Sequence, residues 1–99
     1  MFLGFSRFTV ANDMADEVAE AFRQRPHLVD DAPGFVRMEV VRDGEQPGEF
    51  WLLTWWTDAE SFETWFKSPA HRASHVGIPK GLRVVPGSTE VRRLNLVTD

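Results

Sequence analysis

Few residues of this sequence carry side chains suited to chemistry, and most of those fall in one stretch. Between Phe50 and His75 lie all four tryptophans and two of the three histidines. His71 and His75 are four apart, so on a helix they share a face. That spacing admits a two-histidine metal site, but no third ligand stands nearby and the Glu of a His-Glu-x-x-His motif is missing. The plainer alternative, which composition alone favours, is two partly exposed polar residues near a helix end. Trp65 belongs to the apolar stripe of the preceding segment. A Trp so placed mostly fills a core, yet it also offers a flat wall to an aromatic ligand and an indole N–H donor. Ser6, near the N-terminus, can point its hydroxyl at the same space or bond locally. Asn12 reads as a helix cap, Asp30 and Asp31 have nothing to pair with, and His27 receives no role. Phosphate loops, dinucleotide fingerprints and nucleophile triads are absent.

The elements that must position these residues follow from periodicity. Phe2 to Val10 reads as a strand with Gly4, Ser6, Phe8 and Val10 on one face and Leu3, Phe5, Arg7 and Thr9 on the other. Asn12 or Asp13 caps a helix whose inner positions are Met14, Val18, Ala21 and Phe22, and Pro26 ends it near Arg25. His27 to Asp31 adds a turn. After Ala32–Pro33–Gly34, a strand over Phe35–Arg42 sets Phe35, Arg37, Glu39 and Val41 against Val36, Met38, Val40 and Arg42. A polar hairpin loop leads to a strand over Glu49–Trp56, apolar enough to be central. Thr57 and Glu60 form a capping box for a helix burying Ala59, Phe62, Trp65 and Phe66. Ser68–Pro69 starts a second short helix. Leu82 to Val85 reads as a short strand, and Thr89 to Val97 as the last.

This order, with residues 1–99 as a single domain, predicts a ferredoxin-like βαββαβ α+β sandwich with both helices on one face of an antiparallel sheet. The other face, with Leu3 and Phe5, would be bare, which argues for a homodimer packed sheet to sheet. Composition bounds the rest. The chain has 99 residues, a net charge of −4 and no cysteine, which excludes thiolate chemistry and cysteine-based metal sites. No basic stripe suggests nucleic acid. No apolar run approaches the ~20 residues of a membrane span. With no signal-like N-terminus, the expected location is cytoplasmic.

The run Trp56–Thr57–Asp58–Ala59–Glu60–Ser61–Phe62, with Trp65, Ser68 and His75, resembles the antibiotic biosynthesis monooxygenase family, and within it the heme-degrading monooxygenases. Ala32–Pro33–Gly34–Phe35 matches that family's turn into its second strand. The resemblance implies heme as both cofactor and substrate, its ring opened oxidatively and its iron released. It implies His75 as the iron ligand, Trp65 as the wall pressing on the porphyrin, and Ser6 as the distal polar residue, standing where the family carries Asn. Arg72, Arg23 or Lys80 would meet the propionates. The alternatives are a cofactor-independent monooxygenase oxidising a polycyclic phenol or quinol, or a non-catalytic dimeric module binding a small aromatic or tetrapyrrole ligand.

Overall fold

The strand and helix periodicities take shape in a computed structural model, which describes residues 1–73, 79 and 81–99. The elements are β1 (Phe2–Thr9), α1 (Ala15–Arg23), a 3₁₀ turn (Leu28–Asp31), β2 (Phe35–Arg42), β3 (Glu49–Trp56), α2 (Ala59–Phe66), α3 (Pro69–Ala73) and β4 (Glu90–Asn95). The strands form one antiparallel sheet in the order β2-β3-β1-β4. This is the ferredoxin-like α+β arrangement, with the apolar β3 inside the sheet.

Register explains which residues face the helices. Gly4 pairs with Thr54, Ser6 with Leu52 and Phe8 with Phe50, and on the other side of β1 Ser6 pairs with Val91 and Gly4 with Arg93. These side chains share the helix-covered face. Leu3, Phe5 and Arg7 share the opposite face with Trp55, Leu53 and Trp51.

Strict alternation fails in β2. The register shifts between Phe35 and Arg37, where Phe35 pairs with Trp56 and Arg37 with Trp55. The extra residue of this β-bulge moves Phe35 onto the helix-covered face. There its ring meets that of Trp56 edge-on at 5.5 Å, and it packs with Met38 against the core. Phe35 is therefore not on the face of Arg37, Glu39 and Val41, as period two alone predicts.

Three local expectations are also corrected. Neither Asn12 nor Asp13 caps α1, which begins after Met14 with no side-chain cap. The Asn12 amide instead donates to the Gly81 carbonyl at 2.9 Å, tying β1's end to a distant loop. The cap of α2 is Asp58 rather than Thr57: extended backbone at Asp58 lets its carboxylate accept from the Ser61 N–H at 2.8 Å. That bond favours the ionised acid and holds its pKa below the ordinary value. Leu82–Val85 makes only an isolated bridge, Val84 to Val10. Ser68 does cap α3, accepting from the His71 N–H at 3.2 Å while its own hydroxyl donates to the Trp65 carbonyl at 2.7 Å.

The core is divided. One cluster joins Phe2, Val29, Trp56 and Phe62, with Trp65 and Phe66 packed on it. The other joins Val10, Val18, Ala19 and Phe50, with Phe8 and Phe22 around it. So α2 seals one end of the sheet and α1 the other. The largest fully buried side chains, Trp56 and Phe50, anchor one cluster each.

At Gly4 the α2 side chain Phe62 sits directly on bare backbone. A Cβ there would lie 2.2 Å from Phe62 Cε1 and 2.8 Å from Thr54 Oγ1. Gly4→Ala is expected to lower stability by about 1–3 kcal/mol through overpacking, seen as a fall in Tm of several degrees in thermal unfolding. An unchanged Tm would show that Phe62 relaxes without cost.

Candidate functional site

Because the two clusters sit at opposite ends, the middle of the sheet is not filled. A cavity of about 490 Å³ opens there, within the ~300–1,000 Å³ typical of small-molecule sites. Its floor includes Gly4, Ser6, Phe8, Leu52 and Thr54, and its sides come from α1, α2 and the segment between α1 and β2.

Two residues expected to act together meet in this space. Ser6 reaches it from β1 and Trp65 from the last turn of α2, and both line it. Ser6 arrives there because its even position on β1 faces the helices. Among the described residues its hydroxyl has no hydrogen-bond partner. Trp65 arrives because Phe62 and Phe66 of the same stripe pack on the core, their rings 5.5 Å apart. It is half-buried, with one side on the cavity and the other on a shallower groove beside Pro33 and Ser68. The third expected residue, His75, lies outside the described residues.

His71, from α3, also lines the cavity. Its imidazole stacks on Phe66 at 4.9 Å and meets Trp65 edge-on at 5.7 Å, so the three rings form a continuous aromatic wall. Among the described residues no group of three or more His, Cys, Asp or Glu is placed to hold a metal ion. Thr54 is spent on structure: its hydroxyl donates to the Gly4 carbonyl at 3.2 Å and accepts from the Trp56 indole at 2.9 Å.

Of the cations expected near the ligand, Arg23 and Arg72 do not line this cavity. Arg23 is exposed and paired with Glu20 at 3.2 Å, Arg72 is exposed, and Lys80 lies outside the described residues. Arg25 and His27 line the cavity instead. Only the chain reversal after α1 brings them there, and no spacing in the sequence announced it. His27 adopts a left-handed backbone, φ 58°, uncommon for a residue with a side chain.

The wall bearing Trp65 is fastened from outside. Glu63 of α2 accepts a hydrogen bond from Arg93 Nε of β4, and the Arg93 guanidinium lies 5.7 Å and 5.6 Å from the ring centres of Phe62 and Phe66. The bond to Arg93 holds the Glu63 carboxyl below its usual pKa and raises that of Arg93. A carboxyl depressed by folding stabilises the fold above its unfolded pKa and loses that contribution as pH falls through the folded value. Glu63→Gln should therefore lower Tm at neutral pH, with the gap to wild type closing as the pH drops below about 4. Melting curves across pH test this; a gap independent of pH would remove the ion pair as its cause.

With this geometry in view, the comparisons with known proteins are consistent. Residues 1–76 match the model of the antibiotic biosynthesis monooxygenase family. The chain belongs to that family. A heme oxygenase (mycobilin-producing) of Mycobacterium tuberculosis is 31% identical over 61 residues, covering 62% of this chain and 57% of that protein. The match thus spans less than two thirds of that relative's length. Among solved structures, the heme-degrader MhuD of Mycobacterium tuberculosis, with two hemes bound in its active site, superposes with a TM-score of 0.80 at 22% identity, covering 100% of this chain and 98% of that one. SnoaB, a cofactor-independent oxygenase from Streptomyces nogalater, gives 0.76 at 19% identity over 99% and 94%. At these identities the two structures speak for the fold. Among the described residues no helix is long and apolar enough to cross a membrane.

Proposed function

We propose that the protein is a monooxygenase acting on a flat aromatic ligand held between sheet and helices, with heme degradation as the leading reading. The observation that carries it is the convergence of Ser6 and Trp65 on one cavity, in a chain whose relative is a heme oxygenase. The walls fit such a ligand: the Trp65, Phe66 and His71 rings offer stacking surface, and apolar walls keep water from the reacting edge. Bound heme would supply the redox and dioxygen chemistry. His75 would hold its iron through a neutral imidazole. Trp65 would bear on the ring plane, one of the levers a protein has over a macrocycle. Ser6 would offer one hydroxyl, donor and acceptor in turn, across the cavity from the helices.

Ser6 also favours a second reading. A hydroxyl is a shorter and less versatile group than the amide expected there, and it suits orienting a phenol or quinol oxygen for cofactor-independent oxidation. Titration with hemin separates the readings. Heme binding should shift the Soret band, His75→Ala should abolish the shift, and ascorbate with oxygen should bleach it. No shift with wild type would overturn the heme reading, and turnover of a polycyclic quinol without added cofactor would then establish the second. A Soret complex that ascorbate and oxygen leave intact would make the protein a ligand-binding module. Trp65→Phe should still bind hemin but bleach it roughly tenfold more slowly, about 1.4 kcal/mol in the barrier.

The homodimer belongs to the same proposal. Phe5 and Trp51 pack edge-on at 5.4 Å on the face away from the helices, beside Leu3, Leu53 and Trp55. A second copy laid sheet to sheet would cover them. Sedimentation should give twice the chain mass at micromolar concentration; a monomer would reject this arrangement.

A further inference from the structure

We propose that His71 is the base of the cavity, its imidazole taking the hydroxyl proton of a bound aromatic of the phenol or quinol class. The inference rests on the proposed reading that this cavity holds a flat aromatic ligand. To that reading it adds a catalytic residue and a group on the ligand, an ionisable hydroxyl at the edge facing the helices.

Few side chains on the cavity walls can take up a proton. Among the described residues the walls carry no Asp or Glu. Ser6, Thr54 and Thr89 bring hydroxyls, which accept hydrogen bonds but do not keep a proton. Arg7 and Arg25 are guanidinium ions that stay protonated, and each is paired with a carboxylate, Arg7 with Glu90 at 2.7 Å and Arg25 with Asp30 at 3.3 Å. His27 has a side chain 58% exposed, and its Nδ1 lies 3.2 Å from Asp30 on the solvent side. Among the described residues that leaves His71, and imidazole is the side chain that exchanges its proton near neutral pH.

The placement of His71 suits the task. Ser68 accepts from the His71 N–H at 3.2 Å and donates to the Trp65 carbonyl at 2.7 Å. One hydroxyl thus ties the first turn of α3 to the last turn of α2 and sets the His71 backbone beside Trp65. The ring is then held on two sides. Phe66 lies 29° from parallel at 4.9 Å, and Trp65 meets it edge-on at 73° and 5.7 Å. Stacking covers the face of an imidazole, while its nitrogens bond in the plane of the ring. The stack therefore positions the ring and spends neither nitrogen. A flat ligand against the same wall would bring a hydroxyl at its rim to that edge, with Ser6 on the floor below. The step is a proton transfer: the ligand O–H bond breaks, an N–H bond forms on His71, and the electron pair stays on the ligand oxygen. Nothing is oxidised in it. The resulting phenolate and imidazolium are held together by a charge-assisted hydrogen bond, stronger than its neutral counterpart.

Alizarin, a flat dihydroxyanthraquinone whose colour changes when a hydroxyl ionises, and its dimethyl ether, which has no such proton, test this in the absence of heme and oxygen. At a pH just below that at which the free dye ionises, dye bound to wild type should show the phenolate band. In His71→Ala the phenolate-to-phenol ratio of bound dye should fall roughly tenfold or more, the range for losing a charge-assisted hydrogen bond. Added imidazole should restore the band in this variant. His71→Gln, which offers a hydrogen bond but takes no proton, should keep the dye as phenol with or without imidazole. The ether should bind wild type and His71→Gln within about threefold of each other, which shows the cavity intact. A phenolate band equally strong in His71→Gln would overturn the assignment. If the ether binds wild type while bound dye stays protonated, this inference alone falls. If neither binds, the flat-ligand reading falls and the base with it. If hemin gives no Soret shift while the dye ionises through His71, the heme reading falls and the base stands.

Discussion

The contact on which the rest depends is the ring of Phe62 lying on the bare backbone of Gly4. No other residue type leaves that space, since a Cβ would fall 2.2 Å from the ring. The contact draws α2 down onto the first half of β1 and fixes the height of the helix above the sheet. Phe2 and Trp56 then close around Phe62, their rings 5.4 and 5.9 Å from its own. Thr54 completes the seat by tying the Trp56 indole to the Gly4 carbonyl. Three residues further along α2, Trp65 is carried to the cavity by this anchoring and packs on the same cluster.

The divided core follows from it. A helix pressed hard onto one end of a small sheet cannot also cover the other, and α1 takes that part with a separate cluster around Phe50. The space left between is large because neither cluster extends into it. In most domains of this size an unfilled middle would be a loss of dispersion contacts. Here the aromatic wall on one side and a hydroxyl on the other give the space a chemistry, and family membership gives that chemistry a context.

Much of the architecture was legible because burial imposes period two on strands and 3.6 on helices, and Phe2, Phe8, Phe50, Phe62 and Phe66 obey those periods. Ser6 and Trp65 were legible on the same grounds: each occupies an inward position, and inward positions of neighbouring elements share a space. What escaped was what periodicity does not encode. Thr57 and Asp58 are both able caps, and backbone dihedrals decided between them. Asn12 has the chemistry of a cap but found a carbonyl 69 residues away. Arg25 and His27 acquired their place from the path of the chain after α1, where it follows no period. Leu82–Val85 has strand composition but pairs through one bridge only, because its backbone bonds to Thr9 and Ala11 end there.

The bulge in β2 has a consequence beyond turning one phenylalanine inward. β2 is an outer strand, and an outer strand with a regular ladder is a template on which further chains can add. The misfit between Phe35 and Arg37 breaks that ladder at one end, and charged Arg37 and Glu39 follow it. An incoming strand would find its partners out of step with its own groups and would have to desolvate an ion pair. The same irregularity that completes the core thus discourages unlimited edge-to-edge growth.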